Sequence, residues 1–224
     1  MIAIKDNIAD VELQISSACQ QAHRNAAEVT LLAVSKTKPT AMIEQAYDAG
    51  QRAFGESYVQ EAVEKITALQ NKPDISWHFI GPIQTNKTKL IASHFSWVHS
   101  IDRAKVAKRL NEHRSGQDTP LNICLQVNIS GEESKSGVLV DELPELLNTI
   151  ADCDNLCLRG LMAIPEKNAS QTSFTTMQNL FITLQKKYPS IDTLSMGMSA
   201  DMQLAINAGS TMVRIGSAIF GARE

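Results

Sequence analysis

An alternation of two patterns constrains this chain more than any other feature. Eight short apolar runs rich in β-branched or aromatic residues recur along its 224 residues, the composition of strands buried on both faces. They are TLLAVSK from Thr30, RAFGE from Arg52, SWHFIGP from Ser76, WVHSID from Trp97, NICLQVNIS from Asn122, LCLRGLMAIP from Leu156, TLSMGMS from Thr193 and TMVRIGS from Thr211. Between them, helical periodicity covers about Thr40 to Ala49, Tyr58 to Gln70, Arg103 to Arg114, Asp141 to Ala151 and Ser173 to Tyr188. Gly50 stops one helix, Asp102 can cap another, and Pro39 suits a first turn. Strand and helix in strict alternation imply parallel strands joined by crossovers, and eight such units predict a closed (β/α)8 TIM barrel. The competing open, doubly wound sheet would carry GxGxxG after its first strand, and that motif is missing here. Ile8, Val11, Ile15, Ala18 and Ala22 share one face of an extra N-terminal helix. The eighth run ends close to the last residue, so 1–224 is expected to be a single barrel domain.

Composition removes several function classes. Twenty-one basic against 24 acidic residues leave a net charge of −3, which gives no compositional support to nucleic-acid or membrane-surface binding. The four cysteines form no CxxC pair and the five histidines share no metal-ligand spacing, so neither a disulfide scaffold nor a metal site is expected. The N-terminus places charges at Lys5, Asp6, Asp10 and Glu12, unlike a signal peptide. No run approaches the roughly 18 apolar residues of a membrane span. A cytoplasmic protein is the expectation.

In such barrels chemistry sits at the C-terminal strand ends. The first run ends in Lys36, which by alternation shares the inward face of Leu32 and Val34. An ammonium atop an apolar column at the barrel mouth is pushed toward its neutral, nucleophilic form, although a solvated strand-end lysine is the commoner case. The loops after strands seven and eight are the habitual phosphate site. Here they read SMGMS and RIGS, in which Gly197 and Gly216 permit close backbone approach while Ser199 and Ser217 offer hydroxyls. Each motif alone also fits ordinary turns and caps; together they indicate an anion site. Arg214 shares the inward face with Met212 and Gly216, either as half of a buried ion pair or as a ligand contact. His78 or Trp77 could face a ligand, Glu56 and Glu61 flank a helix start and could satisfy its dipole, and Ser134–Gly137 is a polar loop with a second lysine; these are weaker candidates, and Met42, Met162, Met177 and Met202 read as core.

With these residues in place, the chain resembles the YggS/PROSC family of pyridoxal phosphate homeostasis proteins. The resemblance runs through LLAVSKTKP, FGESYVQE, WHFIGPIQTNK, VHSID, VNISGEESKSG, LRGLMAIP, LSMGMSADM and VRIGSAIFGAR, almost the whole length. It implies a barrel similar to the N-terminal domain of alanine racemase, with pyridoxal 5'-phosphate (PLP) as cofactor. Carried over by position, it implies that Lys36 forms the Schiff base, that Ser199, Gly216 and Ser217 hold the phosphate, and that Arg214 approaches the pyridine nitrogen. One departure is Gly55-Glu56-Ser57 where the family often has GEN, which implies that an amide contact beneath the cofactor is either weakened or taken over by the Ser57 hydroxyl. A short basic tail seen in some members is missing after Glu224.

The resemblance implies a carrier that buffers or delivers PLP, with PLP-dependent apo-enzymes as recipients and a monomer as the working form. The alternative is a small PLP-dependent amino acid racemase. Racemisation with two bases needs an acid/base on each face of the Cα carbanion. In the racemases it resembles, the second base is a tyrosine placed with help from a further domain, and of Tyr47, Tyr58 and Tyr188 only Tyr58 is expected near the mouth. No catalytic residue is therefore assigned. A phosphosugar barrel without PLP would account for Ser199 and Gly216 but not for Lys36 and Arg214.

Overall fold

The computed structural model describes residues 3–132, 135–165 and 171–222. Among them, eight parallel strands close into a barrel in sequence order: β1 (Thr30–Val34), β2 (Ala53–Glu56), β3 (Ser76–Phe79), β4 (Trp97–Ile101), β5 (Leu121–Gln126), β6 (Leu156–Met162), β7 (Thr193–Ser195) and β8 (Met212–Ile215). Seven lie inside an apolar run, and β5 starts one residue ahead of its own, at Leu121. The barrel closes where β1 meets β8, with Thr30 opposite Met212 and Leu32 opposite Arg214. Helices α1 (Ile4–Gln21), α2 (Thr40–Asp48), α3 (Val59–Ala68), α4 (Thr88–His94), α5 (Ala104–Arg114), α6 (Leu143–Ala151), α7 (Gln171–Lys187), α8 (Met202–Asn207) and α9 (Ser217–Phe220) connect or flank the strands. This is the (β/α)8 barrel with an added N-terminal helix.

Periodicity finds the long helices and misses the short ones. The runs for α4, α8 and α9 cover two turns or fewer, too few for a 3.6-residue pattern to declare itself. Two boundary signals act differently from expectation. Pro39 is extended (ψ 155°) and stands just before the first turn of α2. Asp102 does not cap α5; its carboxylate pairs with Arg103 at 2.6 Å instead. Gly50 ends its helix as expected, at φ 104°.

Helix α1 seals the seam between the first and last units, packing against α2, α8 and α9. Its stripe Ile4, Ile8, Val11 and Ile15 is buried, each side chain contributing about 1.5–3 kcal/mol of transfer free energy. Asn7 donates to the Ile219 carbonyl at 2.8 Å and Arg24 to the Ile206 and Ser210 carbonyls, both at 2.8 Å. Outward-facing Ala33, Phe54, Phe79 and Val98 join Ile43, Leu110 and Phe174 in the apolar layer between sheet and helices. The barrel interior is different. Near the mouth Leu32, Ile80 and the face of Gly55 pack together, while below them His78, His99, Ser195 and Arg214 form a hydrogen-bonded polar group, all buried.

Candidate functional site

A cavity of about 340 Å³ opens at the C-terminal mouth of the barrel. Lys36, Ser199, Arg214, Gly216 and Ser217 all line it, and so does Ser57. Strand geometry explains why. Lys36 follows β1 with the parity of Leu32 and Val34, while Arg214 and Gly216 continue the inward face of β8 beside it. The Arg214 amide donates to the Gly197 carbonyl at 2.9 Å, which joins the loop after β7 to β8. Both glycine-bearing loops therefore sit on one side of the mouth.

Lys36 is held by its neighbours in sequence. Lys65, on α3, donates to the Ser35 carbonyl at 2.8 Å, and the Glu61 carboxylate accepts the Thr37 amide at 2.6 Å. Lys65 also pairs with Glu61 at 2.5 Å and with Glu56 at 2.8 Å. Glu56 is wholly buried and accepts the Ser35 hydroxyl at 2.7 Å; burial pushes its carboxyl above the usual range, against the pull of Lys65. Thr37 has φ 64°, a left-handed conformation costly for a β-branched residue. The clamp from α3 thus grips the backbone on both sides of Lys36. Glu56 and Glu61 belong to this clamp, whereas the sequence suggested dipole partners for a helix start.

Arg214 is buried, 5% exposed. Its guanidinium donates to the Ser195 carbonyl (2.7 Å), the Ser195 hydroxyl (2.9 Å) and the Ala163 carbonyl (2.9 Å). No carboxylate forms an ion pair with it among the described residues. Of the two readings open from sequence, the ligand contact remains and the buried ion pair does not. Burial pulls Arg214 down to about 10, so it stays a cation at neutral pH. Among the described residues the cavity lining carries three basic side chains, Lys36, Lys38 and Arg214, and no carboxylate. That charge balance suits an anionic ligand with an acceptor near Arg214.

Two glycines are shaped by this site. Gly197 has φ 98°, and a Cβ there would lie 2.5 Å from that of Ala205. Gly81 presses on Ser57, where a Cβ would lie 2.2 Å from the Ser57 carbonyl oxygen. Ser57 is thereby seated in the cavity wall.

Other candidates lie elsewhere. His78 points into the barrel yet is no part of the cavity lining, and Trp77 packs outward on Phe54 at 5.8 Å. Lys135 pairs with Glu132 at 3.2 Å, away from the cavity, and Ser134 lies outside the described residues. Sequence reading missed the apolar wall of Ile80, Ile164 and Met198, and it missed Lys38 as a lining residue. Parity could have placed Ile80, two positions beyond His78; loop residues Ile164 and Met198 have no such signal. A second cavity, of about 370 Å³, lies under α1 among Glu12, Gln51 and Arg52, at the opposite strand ends. Among the described residues, no three His, Cys, Asp or Glu side chains gather as a metal site, and no helix is long and apolar enough to cross a membrane.

Comparison with known proteins adds four findings. Residues 13–224 match the family model of the alanine racemase N-terminal domain. The chain is 54% identical to the pyridoxal phosphate homeostasis protein of Pasteurella multocida, covering 100% of this chain and 99% of that protein. The structure of PipY from Synechococcus elongatus with PLP bound superposes with a TM-score of 0.84 at 33% identity, over 97% of this chain and 100% of PipY. Corynebacterium glutamicum alanine racemase shares the fold alone: TM-score 0.68 at 16% identity, over 98% of this chain and 60% of the racemase chain.

Proposed function

This chain belongs to the pyridoxal phosphate homeostasis protein family, and we propose that it binds PLP reversibly at the barrel mouth and buffers or delivers it without turnover of its own. The observation that carries this reading is Arg214, a buried cation with no carboxylate paired to it among the described residues, beside a cavity that also holds Lys36 and the Gly216–Ser217 loop. In this reading Lys36 supplies the amine that captures the aldehyde. Ser199 and Ser217 donate hydroxyl hydrogens to the phosphate, and Gly216, with no side chain, lets that group approach the backbone. Arg214 turns a hydrogen-bond donor toward the ring nitrogen and so keeps a proton off it. Ser57, Ile80, Ile164 and Met198 wall the ring and exclude water. Bound PLP supplies an electrophilic carbonyl and an electron-withdrawing ring.

The chain acts on this account as a single PLP-binding barrel, 1–224, a cytoplasmic monomer whose recipients are PLP-dependent apo-enzymes. A racemase needs a second base opposite Lys36. Tyr47 donates to Asp74 at 2.6 Å far from the mouth, Tyr188 packs on the core, and Tyr58 is 53% exposed and no part of the cavity lining. These placements support the carrier reading. The test is exchange of the Cα hydrogen of L-alanine for deuterium, with loss of optical activity, on PLP-loaded protein. The carrier shows only a trace; turnover near the ~10 s⁻¹ typical of enzymes would establish the racemase.

A further inference from the structure

The barrel interior contains a buried chain of polar side chains with no part in holding the ligand directly. The Ser195 hydroxyl meets His99 Nδ1 at 3.0 Å, His99 Nε2 meets His78 Nδ1 at 2.9 Å, and His78 Nε2 meets the Ser76 hydroxyl at 3.0 Å. Arg214 Nη1 donates to the Ser195 hydroxyl at 2.9 Å and starts the chain. It crosses from the mouth on β8 and β7, through β4, to Ser76 at the start of β3, the opposite end of the barrel. Both histidines are at most 2% exposed. Trp97 stacks on His78, centroids 5.3 Å apart and planes at 8°, which fixes the plane of that ring.

The hydrogen-bond inventory of these groups gives the chain one direction. A guanidinium only donates, so the Ser195 oxygen accepts from Arg214. The hydroxyl hydrogen of Ser195 then has His99 Nδ1 as its acceptor. With that nitrogen accepting, a neutral His99 carries its hydrogen on Nε2 and donates to His78 Nδ1. His78 likewise donates through Nε2 to Ser76. Run the other way, His99 Nδ1–H and Arg214 would both donate to the Ser195 oxygen and leave the serine hydrogen, deep in the barrel, without this acceptor, at the usual cost of an unmade buried bond.

We propose that Ser195, His99 and His78 are positioning residues for Arg214: a unidirectional hydrogen-bond chain that fixes the guanidinium against the cavity and so sets how firmly PLP is held. The proposal rests on the PLP reading and deepens it. Among the described residues no carboxylate forms an ion pair with Arg214, and this chain and two backbone carbonyls are what orient it. These direct partners are neutral, so among the described residues no ion pair competes with the ligand for the guanidinium, and Asp201 acts on it only from beyond ion-pair distance.

The test has two parts. In PLP-free protein, ¹⁵N NMR of the ring nitrogens is expected to show His78 and His99 both protonated at Nε2 alone. Protonation of either at Nδ1 would overturn the proposal. In the second part, Ser195→Ala and His99→Met are loaded with PLP and the retained cofactor is read by visible absorbance. Each is expected to weaken retention about tenfold, the effect of one lost hydrogen bond, with thermal midpoints and circular dichroism of folded protein. His99→Gln, which can accept and donate in the same sense, is expected to restore part of it. Wild-type retention in Ser195→Ala would overturn the proposal even if His99→Met fails to fold. If the wild-type protein takes up no PLP at all, the cofactor reading falls and the tautomers alone decide.

Discussion

Lys36 and Arg214 have different kinds of surroundings, and their substitutions should separate binding from stability. Lys36→Ala removes a half-buried side chain at a strand end, so far-UV circular dichroism should stay unchanged while the visible band of PLP-loaded protein disappears. Arg214→Ala strips the Ser195 and Ala163 carbonyls of their side-chain donor. It should weaken PLP retention and also cost stability, about 1–3 kcal/mol for the Ala163 carbonyl left unpaired, the Ser195 carbonyl keeping the Ala163 amide, read by urea unfolding. These two residues were legible in sequence because strand parity and the C-terminal-end rule needed only local information. The partners of Arg214 were not: Ser195 lies 19 positions away and Ala163 lies 51 away, and no local pattern predicts which atoms the barrel brings together.

At the scale of elements, two of the loops that carry the site each have a constraint of their own. The loop after β1 is gripped by α3 through Lys65 and Glu61. Lys65→Met leaves Glu56 buried beside an apolar side chain. Breaking such a pair costs about 3–5 kcal/mol, and the Thr37 strain then relaxes with loss of the Lys36 setting. A lowered unfolding midpoint together with loss of the PLP band is the expected outcome; an unchanged midpoint would contradict the clamp. The loop after β7 turns at Gly197, where φ 98° and Ala205 both exclude a side chain. Gly197→Ala should destabilise by about 1–3 kcal/mol and loosen phosphate-side binding, whereas Gly50→Ala, with no atom within 4 Å, should show only the backbone cost. Glycine at the end of run seven was a readable signal. The Glu56–Lys65 pair was not, because it joins the end of a strand to the middle of the following helix across a turn that sequence alone does not shape.

For the whole molecule, the order of eight strand runs translated directly into eight parallel strands, because in a closed parallel barrel chain order and neighbour order coincide. What remained hidden was the polar interior, since alternation assigns His78 and His99 to a face but not to each other. Their burial has a consequence for acid stability. It pushes His78 down to about 3 and His99 well below its ordinary value, with His78 and Arg214 adding to the effect on His99. The unfolded chain therefore binds protons on these rings below about pH 6.5 that the native barrel refuses. Unfolding free energy should fall with decreasing pH, by about 1.4 kcal/mol per pH unit for each histidine, until the native rings titrate. The raised Glu56 carboxyl acts in the opposite sense, adding stability at low pH that is lost as pH rises. Urea titrations at pH 7.5 and 5.5 should show the histidine trend, and His78→Gln should reduce it.

The central claim is that Lys36, at the mouth shared with Arg214 and the Gly216–Ser217 loop, holds PLP. Incubating the protein with PLP, reducing with borohydride and mapping the labelled peptide tests it most directly. The account predicts a visible absorption band lost on reduction and a pyridoxyl label on Lys36. A label on Lys38, Lys135 or any other lysine in its place, or no band at all, would contradict it.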